Sequence, residues 1–475
     1  MKICSAQSVR EAERRLFARG SMSSLELMNA VVERLWQAFH AWISPTRVVV
    51  YAGTGNNAGD AIGLAARFGC PVTLRCAGGL SADAAAQLSG REESGVPTPQ
   101  PGLLIIDGLL GSGAVGELRP ACAELVRELN ALRVASPRSL TLAIDIPTGL
   151  DAATGTCGAD VVQADVTAAI GCVKPGMLVD GAEDAVGRLL CIPLPEVGDI
   201  PAADTACVSD AAELSPFLPR RAYSCFKNRA GRVAIVAGSV GMAGAAQMCA
   251  EAALAAGAGL VVLYCLPLVY PVLAARVAPE IMVRPVGSYA DIHEPHAQAL
   301  VIGPGLGEIQ PVAAESLRRL AEEFDGTVVL DADGLNTAAA YGWKPQKNWV
   351  LTPHPGEMRR LMPECVGMSR KETVSCYLCK SDCVLLLKGA RTLIAQGEAC
   401  FYNATGGPYM ANGGQGDVLA GCIGALAAQG LRPLHAAVVG AYVCGLAAER
   451  AHMQAGYPRA IRAMDVVANL GRVLG

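Results

Sequence analysis

A chain of 475 residues exceeds what one hydrophobic core organises, so two or more globular domains are expected. Lys and Arg number 39 against 43 Asp and Glu, a net charge of -4 with no long basic run, which excludes a nucleic-acid partner. A composition 52% hydrophobic but only 5% aromatic, with 53 glycines, suits helices packed closely on parallel sheets and excludes disorder, so the fold class is α/β.

The N-terminus, MKICSAQSVREAERR, turns charged at once and lacks the apolar core and cleavage site of a secretory signal, so a cytoplasmic protein is expected. From Val48 short β-branched runs close on glycines and lead into Ala-rich helical stretches: RVVVYAGTG, LLIIDGLLGSG, LTLAIDIPTGL and DVTAAIG. This rhythm predicts a doubly wound parallel sheet, with ligands outside the carboxyl ends of its strands, where the glycine loops fall. The first loop runs from Gly53 to Ala61. Its glycines would let backbone amides approach an anion, while Asn56, Asn57 and Asp60 add hydrogen-bonding and cation-liganding groups that a plain turn does not need. A second loop spans Asp107 to Glu117 and a third Asp145 to Asp151, each directly after a buried strand.

Five prolines without sustained periodicity mark residues 193–221, and two domains are expected, 1–205 and 206–475. A second α/β series follows, with strands predicted at RVAIVAG, GLVVLYC, ALVIGPG, GTVVLDAD, NWVLTPH and CVLLLKG, then helices after Asp417. The apolar stretch 259–277 is broken by Pro267 and Pro271 and carries Arg276, so it reads as a strand running into a helix and not as a membrane span. His354 sits between two prolines, which restrict its backbone and hold the ring in place. Lys388 and Gly389 put a cation and open amides at a strand end, as nucleotide phosphates require. In GGQGD, the amides of Gly414 to Gly416 at a helix start would stabilise a transferring phosphoryl group, and Asp417 could take the proton of the attacking hydroxyl.

The 18 cysteines lie scattered in apolar runs and read as reduced, buried thiols. Cys376, Cys379 and Cys383 have a C-x2-C-x3-C spacing that could begin a metal site. The same spacing places them on one helical face, and with no further ligand nearby core packing is the preferred reading.

In their order, GTGNNAGD, DGLLGSGAVGE and DIPTGLD resemble the NAD(P)H-hydrate epimerases over residues 1–200, and GSVGMAGAA, GPGLG, DADGLN, TPHPGE, KGART and GGQGD resemble the ADP- or ATP-dependent NAD(P)H-hydrate dehydratases over 210–475. The resemblance implies an N-terminal Rossmann-like parallel-sheet sandwich that interconverts R and S hydrates of NADH and NADPH. It also implies a C-terminal ribokinase-like α/β/α domain that dehydrates the S hydrate at the expense of ADP, giving AMP and phosphate.

By position, the resemblance gives potassium to Asn57, Asp107 and Thr148. It lines the epimerase site with Asn56, Asn57, Ala58, Gly59 and Asp60, with Gly111, Ser112, Gly113, Ala114, Val115, Gly116 and Glu117, with Lys174, and with Asp145 as acid/base. In the dehydratase it implies Ala245, Gly305, His354 and Asp417 around the hydrate, Asp417 as catalytic base, Lys388, Gly389, Ala390, Arg391, Thr392 and Gly416 around ADP or ATP, and Mg2+ on the phosphates. A homo-oligomer without membrane partners is expected. The sequence departs from the resemblance at Ala58 and Ala61, where glycines are usual and an added methyl would crowd the ligand, at Thr148 for serine, and at Gln415 for serine. Two alternatives are a ribokinase-like kinase of small alcohols and an N-terminal domain reduced to a binding module.

Overall fold

The computed structural model describes residues 1–218 and 220–474. The chain divides into two compact units, Met1–Val208 and Ser209–Gly475.

The first unit is built on seven parallel strands: β1 (Arg47–Ala52), β2 (Val72–Cys76), β3 (Glu92–Ser94), β4 (Leu103–Gly108), β5 (Leu140–Ile144), β6 (Val166–Ile170) and β7 (Arg188–Ile192), in the order β3-β2-β1-β4-β5-β6-β7. The order reverses between β1 and β4, which opens a crevice at their carboxyl ends. Alternate residues of β1 feed two cores. Val48, Val50 and Ala52 pack with helices Ser24–Phe39 and Asn56–Arg67, whereas Val49 and Tyr51 pack with helix Pro120–Ala135. Helices therefore cover both faces of the sheet, and its central strands β1, β4, β5 and β6 are buried almost throughout instead of alternating. The unanticipated β2, β3 and β7 lie away from the sheet centre, and polar residues such as Thr73, Glu92 and Arg188 dilute their apolar pattern.

In the second unit the strands run, across the sheet, Met282–Pro285, Leu260–Cys265, Arg232–Val236, Ala299–Ile302, Thr327–Leu330, Trp349–Leu351, Val384–Leu387, Leu393–Gln396 and Ala399–Tyr402. Pairing is parallel as far as Val384–Leu387 and antiparallel in the last two steps. The stretch 259–277 is a strand followed by the helix Tyr270–Arg276. Alanine-rich helices Ala243–Ala255, Gln415–Ala428, Pro433–Gln454 and Ala463–Leu474 pack on one face. Their approach is so close that a Cβ on Gly421 would overlap the carbonyl oxygen of Cys249. Alanine and glycine are abundant here because backbones in contact leave no room for longer side chains.

The cysteine trio does not share a helical face. The helix Arg370–Leu378 ends before Cys379, which is exposed, and Cys383 lies beyond it, buried at the start of a strand, so core packing describes Cys383 alone. None of the 18 cysteines is joined in a disulfide. Among the described residues no helix is long and apolar enough to cross a membrane, and no three His, Cys, Asp or Glu side chains are grouped to hold a metal.

Candidate functional site

In the first unit the three glycine loops meet at the β1/β4 crevice. A Cβ on Gly53 would overlap the carbonyl oxygen of Leu109, so the first loop needs glycine to lie on the second. Asn57 stands in the first turn of helix Asn56–Arg67, and its buried Nδ2 has no hydrogen-bond partner. Asp107 ends β4 fully buried. Its carboxylate accepts the Leu109 N–H (3.1 Å), the Thr148 N–H (2.8 Å) and the Thr148 hydroxyl (2.8 Å). Burial pushes it up to about 6, against the pull of those donors.

Asp145 follows β5 at φ 66, a left-handed backbone rare for aspartate that turns its carboxylate into the crevice. One oxygen accepts the Ser112 N–H at 2.7 Å and the other pairs with Lys174, a fully buried lysine that also donates to the Ile170 carbonyl at 2.8 Å. Burial alone would raise Asp145, but the Lys174 ammonium and the Ser112 donor hold it below the usual carboxylate range. Asp60 is driven the other way, by burial first and then by the charges of Asp145 and Glu13, and Glu13 is likewise raised by burial and by Asp145. One carboxylate held low thus faces two that are raised, the kind of split by which neighbouring acids divide acid and base roles. Glu13 carries no motif and escaped the sequence reading. Its helix, Ala6–Ala18, is tied to the second loop by Arg10, which donates to the Gly113 carbonyl at 3.2 Å.

Ala58 and Ala61 do not crowd the crevice. Both are fully buried in the core, and the room for Ala61 is made directly beneath its helix at Gly108 of β4, whose Cβ would lie 2.5 Å from the Ala61 methyl. Asn57, Asp60, Gly111, Ser112, Asp145 and Lys174 come together, whereas Asn56 is exposed and donates to the Ser24 hydroxyl at 3.4 Å, and Gly113 to Glu117 form an exposed loop at the rim.

In the second unit the site lies at the carboxyl ends of three adjacent strands. Asp331, 1% exposed, follows Thr327–Leu330, and its Oδ1 accepts the Thr352 hydroxyl at 2.8 Å and the Lys388 ammonium at 2.6 Å. Gly414 caps the helix Gln415–Ala428 at φ 97, and Asp417 falls in its first turn. A Cβ on Gly416 would stand 3.1 Å from Lys388 Nζ and 3.5 Å from Asp331 Oδ2, so the ion pair abuts the amides of the helix start. Burial, then the charge of Asp331, pushes Asp417 up to about 7, with Lys388 pulling against them. Lys388 stays charged despite burial because Asp331 and Glu357 face it.

Gly305 (φ 63) touches the helix Ala243–Ala255: its Cβ would lie 2.9 Å from the Ala245 methyl, so these two residues share a wall. His354 is the N-cap of helix Pro355–Leu361, its Nδ1 accepting the N–H of Gly356 (2.9 Å) and Glu357 (3.3 Å). That fixes the proton on Nε2, which stands 3.5 Å from a Glu357 carboxylate oxygen on a half-exposed ring. Lys388 to Thr392 form a turn tied by the Thr392 hydroxyl to the Gly389 carbonyl (3.0 Å), and Arg391 is only 5% exposed, its carbonyl accepting from Arg370 at 2.9 Å. Gln415 donates to Asn412 at 3.1 Å, which folds its bulk back along the preceding loop. Asp331, Thr352 and Glu357 were missed as individual residues, although DADGLN and TPHPGE marked their loops.

Residues 233–470 match the family described as NAD(P)H-hydrate dehydratase, and residues 24–176 match the YjeF-related protein N-terminus. The chain is 34% identical to the bifunctional NAD(P)H-hydrate repair enzyme of Coxiella burnetii over 98% of each chain. It is 34% identical to that of Escherichia coli over 99% of this chain and 93% of the relative. In fold it is similar to a ribokinase-like superfamily protein from Enterococcus faecalis, at 24% identity and a TM-score of 0.51, over 58% of this chain and 98% of that one. With both family patterns in place and near full-length identity above a third, the chain belongs to the family of bifunctional NAD(P)H-hydrate repair enzymes.

Proposed function

We propose that the first unit interconverts the R and S hydrates of NADH and NADPH, and that the second dehydrates the S hydrate by phosphoryl transfer from ADP. The observation that carries the dehydratase reading is Asp417, a carboxylate poised near neutrality in the first turn of a glycine-capped helix beside a buried lysine. Hydroxide is a poor leaving group and phosphate a good one. Asp417 takes the proton of the hydrate hydroxyl as its oxygen attacks the terminal phosphorus, and AMP leaves. The C–O bond then breaks with phosphate, the adjacent carbon gives up a proton, and the ring double bond re-forms. Amides at Gly414–Gly416 and the Lys388 ammonium face the charge that builds on the phosphoryl oxygens. Ala245, Gly305 and the Nε2 proton of His354 would hold the hydrate, and Lys388 to Thr392 with Gly416 the nucleotide. Mg2+, which takes most of its ligands from phosphates and water, would neutralise charge on the nucleotide phosphates.

In the epimerase, the ionised Asp145 accepts the hydroxyl proton as the hemiaminal carbon–nitrogen bond opens, while Asp60 or Glu13 supplies a proton to the nitrogen; closure on the other face reverses both transfers. Lys174 orients Asp145 and keeps it charged. The oxygens of Asn57, Asp107 and Thr148 are hard donors of the kind that hold potassium, and Asp107 is a buried carboxylate for which no cation is paired among the described residues. A bound cation there would offset that charge and draw the oxygen-rich end of the hydrate.

The test is to incubate the protein with mixed-epimer NADH hydrate, Mg2+, K+ and either ADP or ATP, following absorbance of reduced nicotinamide. Recovery of both epimers is expected, with ADP the better donor. An accumulating phosphorylated hydrate, or no recovery with either nucleotide, overturns the proposal.

A further inference from the structure

We propose that Asp331 is the positioning residue of the dehydratase: it clamps the Lys388 ammonium against the helix start at Gly416, aiming it at the incoming terminal phosphate and diverting it from the base Asp417. The inference rests on reading the second unit as a phosphoryl-transfer site.

Three neighbouring strands build the clamp, since Asp331, Thr352 and Lys388 each follow the end of one of them. Oδ1 of Asp331 takes both the Thr352 hydroxyl and Lys388 Nζ, so the carboxylate is fixed before it fixes the lysine. A lysine is a point charge on a flexible stem and aims poorly without such a tether. Other carboxylates are in reach: Glu357 and Asp417 both act on Lys388. Direct pairing of Lys388 with Asp417 would stabilise the carboxylate and weaken it as a base. The Asp331–Lys388 pair has little net charge and stands against Gly416, where any side chain would push into Nζ. The groups acting on Asp417 are then Asp331, Asp333 and Glu357, which raise it, and Lys388, which lowers it; Cys249 lies across from it on helix Ala243–Ala255.

The test uses the full chain with S-hydrate, Mg2+ and the better nucleotide, comparing wild type with Asp331→Asn, Asp331→Glu and Thr352→Val. In Asp331→Asn, a negative charge that raised Asp417 is gone and Lys388 is free to pair with it. The acid limb of the kcat profile should move down by about one pH unit and kcat should fall roughly tenfold. Asp331→Glu should return the limb towards wild type. Thr352→Val keeps the charge and loosens the clamp, so kcat should fall a few-fold with the limb in place. A folded Asp331→Asn with kcat within about twofold of wild type and an unmoved limb overturns the inference, as does an indifferent Thr352→Val should Asp331→Asn fail to fold. A wild type that regenerates no NADH overturns the reading of the site as well, so the two failures are distinguishable.

Discussion

At the residue scale, both sites set protonation by burying carboxylates and choosing their neighbours. Asp417 must be deprotonated to act, and burial with Asp331 raises it to about 7, so dehydration should climb with pH through that region and level off above it. Asp417→Asn should lower dehydration by about 10^2 to 10^4-fold while nucleotide binding, read by calorimetry, persists. The first site works in the opposite sense, because Lys174 holds Asp145 ionised inside the protein. Lys174→Met would leave that charge buried and unpaired, a change that costs about 3–5 kcal/mol when one partner of a buried pair is removed, unless Asp145 takes up a proton. Without Lys174, burial drives Asp145 towards the protonated form, which removes the ionised base. Epimerisation should therefore fail in Lys174→Met at neutral pH, as R-hydrate disappearance measures, and the melting temperature of the first unit should drop.

At the scale of elements, the close approach of helices Gln415–Ala428 and Ala243–Ala255 places Asp417 opposite the wall that carries Ala245. Gly421→Ala would drive a methyl into the Cys249 carbonyl, which cannot move without its helix. We expect a loss of about 1–3 kcal/mol in denaturant unfolding and a fall in kcat, since separating the helices also displaces Gly414 from Met248. That contact was invisible in the sequence, where Gly421 is one small residue in an Ala-rich helix. What the sequence disclosed were the strands buried on both faces, from Arg47–Ala52 to Val384–Leu387, because such strands are unbroken apolar runs closed by glycine. Edge strands such as Glu92–Ser94 and Met282–Pro285 carry no such run, since they need neither full burial nor high β-propensity. The loops at the strand ends were legible through their glycines and polar clusters, and their single actors only in part. Asp145 and Asp417 stand beside the glycines that mark them, but Glu13 reaches its site from a separate helix, and no spacing relates it to Asp60 or Asp145.

At the scale of the whole molecule, each unit supplies every residue of its own proposed site, so the two activities should be separable by single substitutions. Asp145→Asn removes the epimerase base without touching the second unit, and Asp417→Asn does the reverse. With mixed-epimer hydrate, Mg2+ and ADP, Asp145→Asn should recover NADH from the S fraction and stall with R unconsumed, while Asp417→Asn should recover none and still equilibrate R with S. Mixing the two variants is the discriminating step. If S hydrate formed in one protein passes through solution to another, the mixture should recover both epimers at a rate that rises with the concentration of either variant. Stalling of the mixture at the S fraction, with Asp145→Asn folded and still consuming S, would mean that Asp417→Asn keeps the S hydrate it forms bound, so that hydrate moves between sites only within one chain. The measurement is a single absorbance trace per mixture, and its plateau, not its initial slope, separates the two cases.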